Sequence, residues 1–238
     1  MNFRALHLFA TIARRGRDSL GRKFRPGLPG RFQAYSHTLP DRYPWLFEFA
    51  RANIRDSAAT NLLSFGCSSG EEVFSLRKYF PAAAIKGIDI EGSNISRCEV
   101  RARMENASGT TFAVAADTEG EPTGYYDGIF CLAVLCLGDL TVSGAQRCDP
   151  HLYFKDFERM VTDFSRCLRA GGVLFLLTTN FRFCDTAISR DFDVVLEAEP
   201  AQLAPDVLFD CNDRLLPGAR YRPAVFRKRT LARPREVP

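Results

Sequence analysis

The sequence of 238 residues is short of the features that mark several protein classes. No CxxC pair occurs and only three histidines are present, so no metal site is expected. Eight cysteines are too sparse for a disulfide framework in a chain of this length. Several, such as Cys131 and Cys136, lie in apolar runs and read as small buried hydrophobes in a reducing, cytoplasmic setting. No apolar stretch approaches the ~20 residues that span a bilayer. No Gly-Lys-Ser/Thr completes a P-loop. What is present is ordinary globular composition, 46% hydrophobic and 25% charged, which excludes a disordered or collagen-like chain.

The net charge of +4 conceals an uneven distribution. Residues 1–25 hold seven bases against Asp18, and residues 221–238 hold six against Glu236, which leaves −7 for the body between them. The first stretch, NFRALHLFATIARRGR, places Phe3, Leu6, Ala10 and Ala13 on one helical face. It is too interrupted for a signal-peptide core. A proline- and glycine-rich connector follows, then a cap helix with Trp45, Leu46, Phe49 and Ala50 on one side.

From Asn61 the pattern becomes regular. Short apolar runs at 61–66, 84–90, 110–116, 127–137 and 173–179 alternate with helical stretches at 71–80, 93–106 and 154–168. The last of these helices carries Phe154, Phe157, Val161, Phe164 and Leu168 at steps of three and four. Two further strands are expected at 192–198 and 221–228. Alternation of this kind predicts an α/β, doubly wound, mostly parallel seven-stranded sheet with an N-terminal helical extension. The expected division is a basic helix, connector and cap helix over 1–56, a ligand-binding domain over 57–230, and a basic tail over 231–238.

In such sheets ligands bind beyond the carboxyl ends of the strands. After the first strand comes Gly66-Cys67-Ser68-Ser69-Gly70-Glu71, whose glycines let backbone approach a ligand at a helix N-terminus. About 20 residues further on stands Asp89, at the spacing from which a carboxylate accepts hydrogen bonds from ribose hydroxyls. Asp117 follows the third strand and is a candidate for an adenine amine. A nucleoside is implied, but not a dinucleotide. Setting the first glycine of G-x-G-x-x-G on Gly66 puts Ser68 and Glu71 at the other two positions, and a carboxylate there repels pyrophosphate. S-adenosylmethionine, with a sulfonium, an amine, a ribose and no phosphate, suits the pattern.

These residues resemble those of class I methyltransferases over roughly residues 57–230. The run Asn61 to Glu72 is similar to the family's first motif, and its Cys-Ser-Ser-Gly-Glu-Glu form is most like the chemotaxis-receptor (protein-glutamate) branch. Asp127 to Leu135 resembles the fourth-strand motif of that branch, and Arg166 to Leu174 the helix-Gly-Gly-strand signature of the wider class. The resemblance implies methyl transfer from S-adenosylmethionine, with Gly66, Cys67, Ser68, Gly70, Asp89, Ile90, Asp117 and Leu132 as cofactor contacts. Three departures stand out. Ser64 replaces an acidic residue, Ser68 replaces a central glycine, and the asparagine usual after strand four is missing from Cys131-Leu132-Ala133. No match to the branch's N-terminal receptor-binding domain is visible, so its substrate does not carry over.

The acceptor is expected to be an O, N or S nucleophile of a small molecule or protein side chain. Tyr35 and His37 in the connector are the candidates for a base, and Asn180 and Arg182 after strand five for acceptor contacts. RNA as acceptor and a non-enzymatic binding module are the alternatives. Against nucleic acid, the basic ends lack interleaved aromatics and the body is acidic. Residues 1–25 also suit peripheral contact with a membrane surface.

Overall fold

The computed structural model describes residue 32, residues 38–204 and residues 206–230. The basic N-terminal stretch, Tyr35, His37 and the C-terminal tail lie outside the described residues. Seven strands form one sheet in the order β3-β2-β1-β4-β5-β7-β6. They are β1 (Asn61–Phe65), β2 (Ala84–Asp89), β3 (Thr110–Val114), β4 (Tyr126–Leu132), β5 (Leu168–Leu177), β6 (Phe192–Glu197) and β7 (Pro223–Lys228). All pairings are parallel except those of β7, which runs antiparallel to both β5 and β6. This is the doubly wound α/β architecture expected from the alternation of strands and helices.

Five helices accompany the strands among the described residues: α1 (Pro44–Asn53), α2 (Glu71–Tyr79), α3 (Gly92–Met104), α4 (Gly138–Ser143) and α5 (Phe154–Cys167). The stripe on α5 buries Phe154, Phe157, Met160, Val161 and Phe164 against one face of the sheet. Each such side chain contributes roughly 1.5–3 kcal/mol relative to exposure. On the opposite face Leu46, Phe47, Ala50 and Ile54 pack with Leu62, Leu76, Phe130 and Phe175. Phe130 and Phe175 stack there at 4.2 Å between centroids. The cap helix α1 is thus part of the sheet's own core, which extends upstream of residue 57. None of the described helices is long and apolar enough to cross a membrane.

Two strands differ from their expected extents. The apolar run 127–137 ends as a strand at Leu132, because its neighbour β5 stops opposite at Leu177. Ala133 then takes φ 58° and carries the chain across the sheet's edge, its N–H bonded to the carbonyl of Leu177. Conversely β5 begins at Leu168, before the expected Val173. A side chain at Gly172 would come within 2.9 Å of the Arg169 carbonyl oxygen, so glycine is what lets the strand run through this bend. The strand order reverses between β1 and β4, and the crevice beyond their carboxyl ends is where this fold takes ligands.

Candidate active site

The crevice is a cleft of about 940 Å³, including its open mouth. Its floor is the turn between β1 and α2. Gly66, at φ 71°, leaves the strand so close to Val134 that an added Cβ would lie 2.7 Å from that side chain. The N–H groups of Gly66 and Cys67 both donate to the Ile88 carbonyl, at 2.8 and 2.9 Å. Gly70, at φ 92°, ends the turn as the N-cap of α2. Its missing side chain leaves room for Phe74 and Cys98 beneath.

Ser68 stands between these glycines with φ 50°, a conformation that costs a residue with a side chain about 1–2 kcal/mol. Its hydroxyl makes no hydrogen bond with any described residue, so the conformation is held by the Ser68 backbone, whose N–H is bonded to Asp89, and not by the side chain. Ser68→Gly is therefore expected to stabilise the protein by about 1 kcal/mol, less the entropy glycine adds to the unfolded chain. Thermal unfolding should show Tm rising by about 2–4 °C.

Asp89 ends β2 and is 7% exposed. One carboxylate oxygen accepts the Ser68 N–H at 2.8 Å. The other accepts the Glu91 N–H at 2.9 Å and the Asn94 side-chain amide at 3.1 Å. It thus ties the β1–α2 turn to the start of α3, and three donors leave about one lone-pair position of the carboxylate for a ligand.

The second carboxylate in the cleft is Glu72, which the motif spacing alone did not distinguish from Glu71. Glu71 accepts from the Ser69 hydroxyl at 2.9 Å and lies 3.9 Å from Arg101, away from the cleft. Glu72, one helical step on, lines the cleft and accepts the Ser64 hydroxyl at 2.7 Å. Burial pushes the Glu72 carboxyl up to about 7, against the opposing pull of Ser64 and the Arg42 guanidinium. Ser64, where the motif it resembles has an acid, thus serves as the donor that positions an acid supplied from α2. A signal for this was present in the doubled Glu of the motif, but only the helix phase tells which of the pair turns inward.

Of the residues proposed from sequence for the cofactor, Gly66, Cys67, Ser68, Asp89, Ile90 and Leu132 line this cleft together. Gly70 lies behind it as a cap. Asp117 is not among the lining residues; its carboxylate accepts the Glu119 N–H at 3.1 Å, and Ala115 and Ala116 face the cleft instead. Asn180 is fully buried and spent on the backbone, accepting from Leu137 N–H at 2.6 Å and donating to Val207 C=O at 2.8 Å. Arg182 is paired with Asp185 through two bonds of 2.8 and 2.9 Å and lines no described cleft. The upstream wall, made by Leu39, Arg42, Tyr43 and Phe47, carried no motif and was not foreseen.

The lining suits S-adenosylmethionine by its chemistry. Asp41, Glu72, Asp89 and Glu91 face it with Arg42 as the one cation among the described lining residues. Such a surface repels phosphate and attracts a ligand with sulfonium and ammonium groups. Apolar Ile90, Ala115, Ala116 and Leu132 provide a slot for a flat base beside Asp89.

Fold and cleft together define a Rossmann-like domain with an acidic cleft at its topological switch point. In a comparison with protein families, residues 63–176 match the family described as a methyltransferase domain. Curated proteins give no match. Solved structures similar to the chain include a SAM-dependent methyltransferase of Aquifex aeolicus, 14% identical, covering 57% of this chain and 62% of that one with a TM-score of 0.42. Another is geranyl diphosphate C-methyltransferase of Streptomyces coelicolor, 16% identical, covering 55% and 42% with a TM-score of 0.41. A third is the YcgJ protein of Bacillus subtilis, 15% identical, covering 59% and 52% with a TM-score of 0.44. The chain thus spans between 42% and 62% of the length of these three structures.

Proposed function

We propose that this protein is a methyltransferase that uses S-adenosylmethionine to methylate a small-molecule nucleophile. The observation that carries the reading is the pair of cleft carboxylates, Glu72 and Asp89, set on either side of the glycine-bounded turn. Asp89 is placed to accept ribose hydroxyls and Glu72 to receive the ligand's ammonium group. Leu132, Ile90 and the two alanines exclude water around the base. When bound, the cofactor supplies an electrophilic methyl group on sulfur. The protein's part is then chiefly to align the acceptor with that methyl and keep the site dry.

The likeness of Cys-Ser-Ser-Gly-Glu-Glu to the chemotaxis-receptor branch supports the cofactor assignment only. The family match is to the general methyltransferase domain, and a protein-glutamate acceptor has no support beyond that hexapeptide. The acidic lining also opposes a phosphodiester acceptor such as RNA.

The test is calorimetric titration with S-adenosylmethionine and S-adenosylhomocysteine, followed by labelled methyl transfer to separated metabolite, protein and RNA fractions. Saturable binding of both, with label in the metabolite fraction, is expected. Folded protein that gives no heat with either compound sinks the proposal.

A further inference from the structure

A second, smaller cleft, about 350 Å³ with its open mouth included, lies at the same edge of the sheet. It is lined by Thr179, Leu203, Ala204, Asp206, Leu208, Ala219, Arg220 and Tyr221. Its position follows from strand order. Thr179 leaves the carboxyl end of β5, next to β4 whose end walls the cofactor cleft. Because β7 runs antiparallel to β5, Arg220 and Tyr221, which precede it, arrive at that same edge. Arg42 links the two clefts electrostatically, for it acts on both Glu72 and Asp206.

The polar groups of this cleft can be accounted for one by one. The Thr179 hydroxyl donates to the Phe181 carbonyl at 2.5 Å, and the Tyr221 hydroxyl accepts the Cys184 N–H at 3.2 Å. The Thr179 proton is thereby spent on the protein, and the Tyr221 hydroxyl also faces the Cys184 thiol. Arg220 is on the exposed rim, where water and salt screen it. Asp206 is the inner charge, half-buried, with a long contact of 3.5 Å from the Thr141 hydroxyl. The remaining walls are leucine, alanine and the Tyr221 ring.

We propose that this second cleft is the acceptor subsite and that it takes an amine on a small apolar body, its nitrogen held at Asp206. The assignment rests on the methyl-transfer reading above and deepens it. A carboxylate among apolar walls recognises a cationic or donor-rich group, and a carboxylate-bearing acceptor meets like charge there. The described linings of the two clefts together hold five carboxylates against two guanidiniums, so a second positive ligand is accommodated after the first. An amine arrives protonated and must lose a proton to become a nucleophile. Burial raises the Asp206 carboxyl above the usual carboxylate range, with Thr141 and Arg42 opposing, which suits it to take that proton. In the transfer the nitrogen lone pair forms the N–C bond as the S–C bond breaks with its electron pair on sulfur. The proton shed by nitrogen passes to Asp206.

Phenethylamine, phenethyl alcohol and phenylacetate are shape-matched probes that separate amine, hydroxyl and carboxylate. Calorimetry without cofactor should show saturable binding of phenethylamine in preference to the other two. Asp206→Asn should weaken the amine by about tenfold to a hundredfold, the span of one charged hydrogen bond. The same variant should bind S-adenosylmethionine within twofold of the unaltered protein. Amine binding that Asp206→Asn leaves unchanged, a preference for the alcohol or acid, or no amine binding at all overturns the subsite. Labelled transfer then separates the two readings. Amine binding in a protein that does not bind S-adenosylmethionine supports the subsite and sinks the methyltransferase. Transfer only to hydroxyl or carboxylate acceptors does the reverse.

Discussion

Asp89→Ala is expected to weaken S-adenosylmethionine binding by about a hundredfold. A hydrogen bond to a charged acceptor contributes about 1.5–3 kcal/mol, and the ribose loses such an acceptor outright. The substitution also frees the Ser68 N–H, which Asp89 holds at 2.8 Å, so the turn beneath the ligand loses its anchor to β2. Together these come to about 3 kcal/mol, or two orders of magnitude in Kd. The stability of the unliganded protein should fall as well, because the Ser68 and Glu91 N–H groups lose their acceptor. Asp89→Asn separates the two effects. It keeps the volume but makes one side of the group a donor, and every protein partner of Asp89 described above is itself a donor. Calorimetric Kd values for both variants, with circular dichroism to confirm folding, are the measurement. A change of less than threefold in Asp89→Ala removes the ribose role from this residue.

Glu72→Gln should have the next largest effect, and its signature lies in pH. The Glu72 carboxyl is pushed up to about 7 from an ordinary 4.5. A cationic ligand binds the ionised form, so the affinity of the unaltered protein should rise as pH increases from 6 to 8 and then level off. The stability of the unliganded protein should move the opposite way. Its folded carboxyl holds a proton that the unfolded one gives up, so the contribution is complete below pH 4.5 and is lost as pH rises through about 7. In Glu72→Gln the charge is gone at every pH. Binding should be weaker by about tenfold to a hundredfold above pH 7, as expected for loss of one charge-assisted contact, and its slope with pH should vanish. Isothermal titrations at pH 6, 7 and 8 decide this, and an unchanged pH slope in the variant assigns the titration to another group.

Much of this arrangement was legible from residue order because its causes are local. The steps of three and four in residues 154–168 dictate a helix with one apolar face, and the structure buries that face as α5. Glycines 66 and 70 mark a turn, and both are found with positive φ. The register of Asp89 with that turn reflects the near-constant length of a helix and crossover strand. Where local and tertiary preferences compete, residue order misleads. The apolar run 127–137 looks like one long strand, yet β4 ends where β5 ends. Arg182 and Asn180 look like pocket residues from their place after β5, yet Arg182 is taken by its neighbour Asp185 and Asn180 by the distant backbone of Leu137 and Val207.

The sequence by itself therefore determined the alternation of elements, the turn that forms the cleft floor, and the expectation of a ligand with positive charge. These follow from periodicity, backbone freedom and the absence of phosphate-binding residues. Only the tertiary structure decided which glutamate of the Glu71–Glu72 pair faces the cleft, that α1 walls it, and that Asp206 meets Thr179 in a second cleft. Those residues are distant in the chain and come together through strand order and burial, and neither is a property of any short segment.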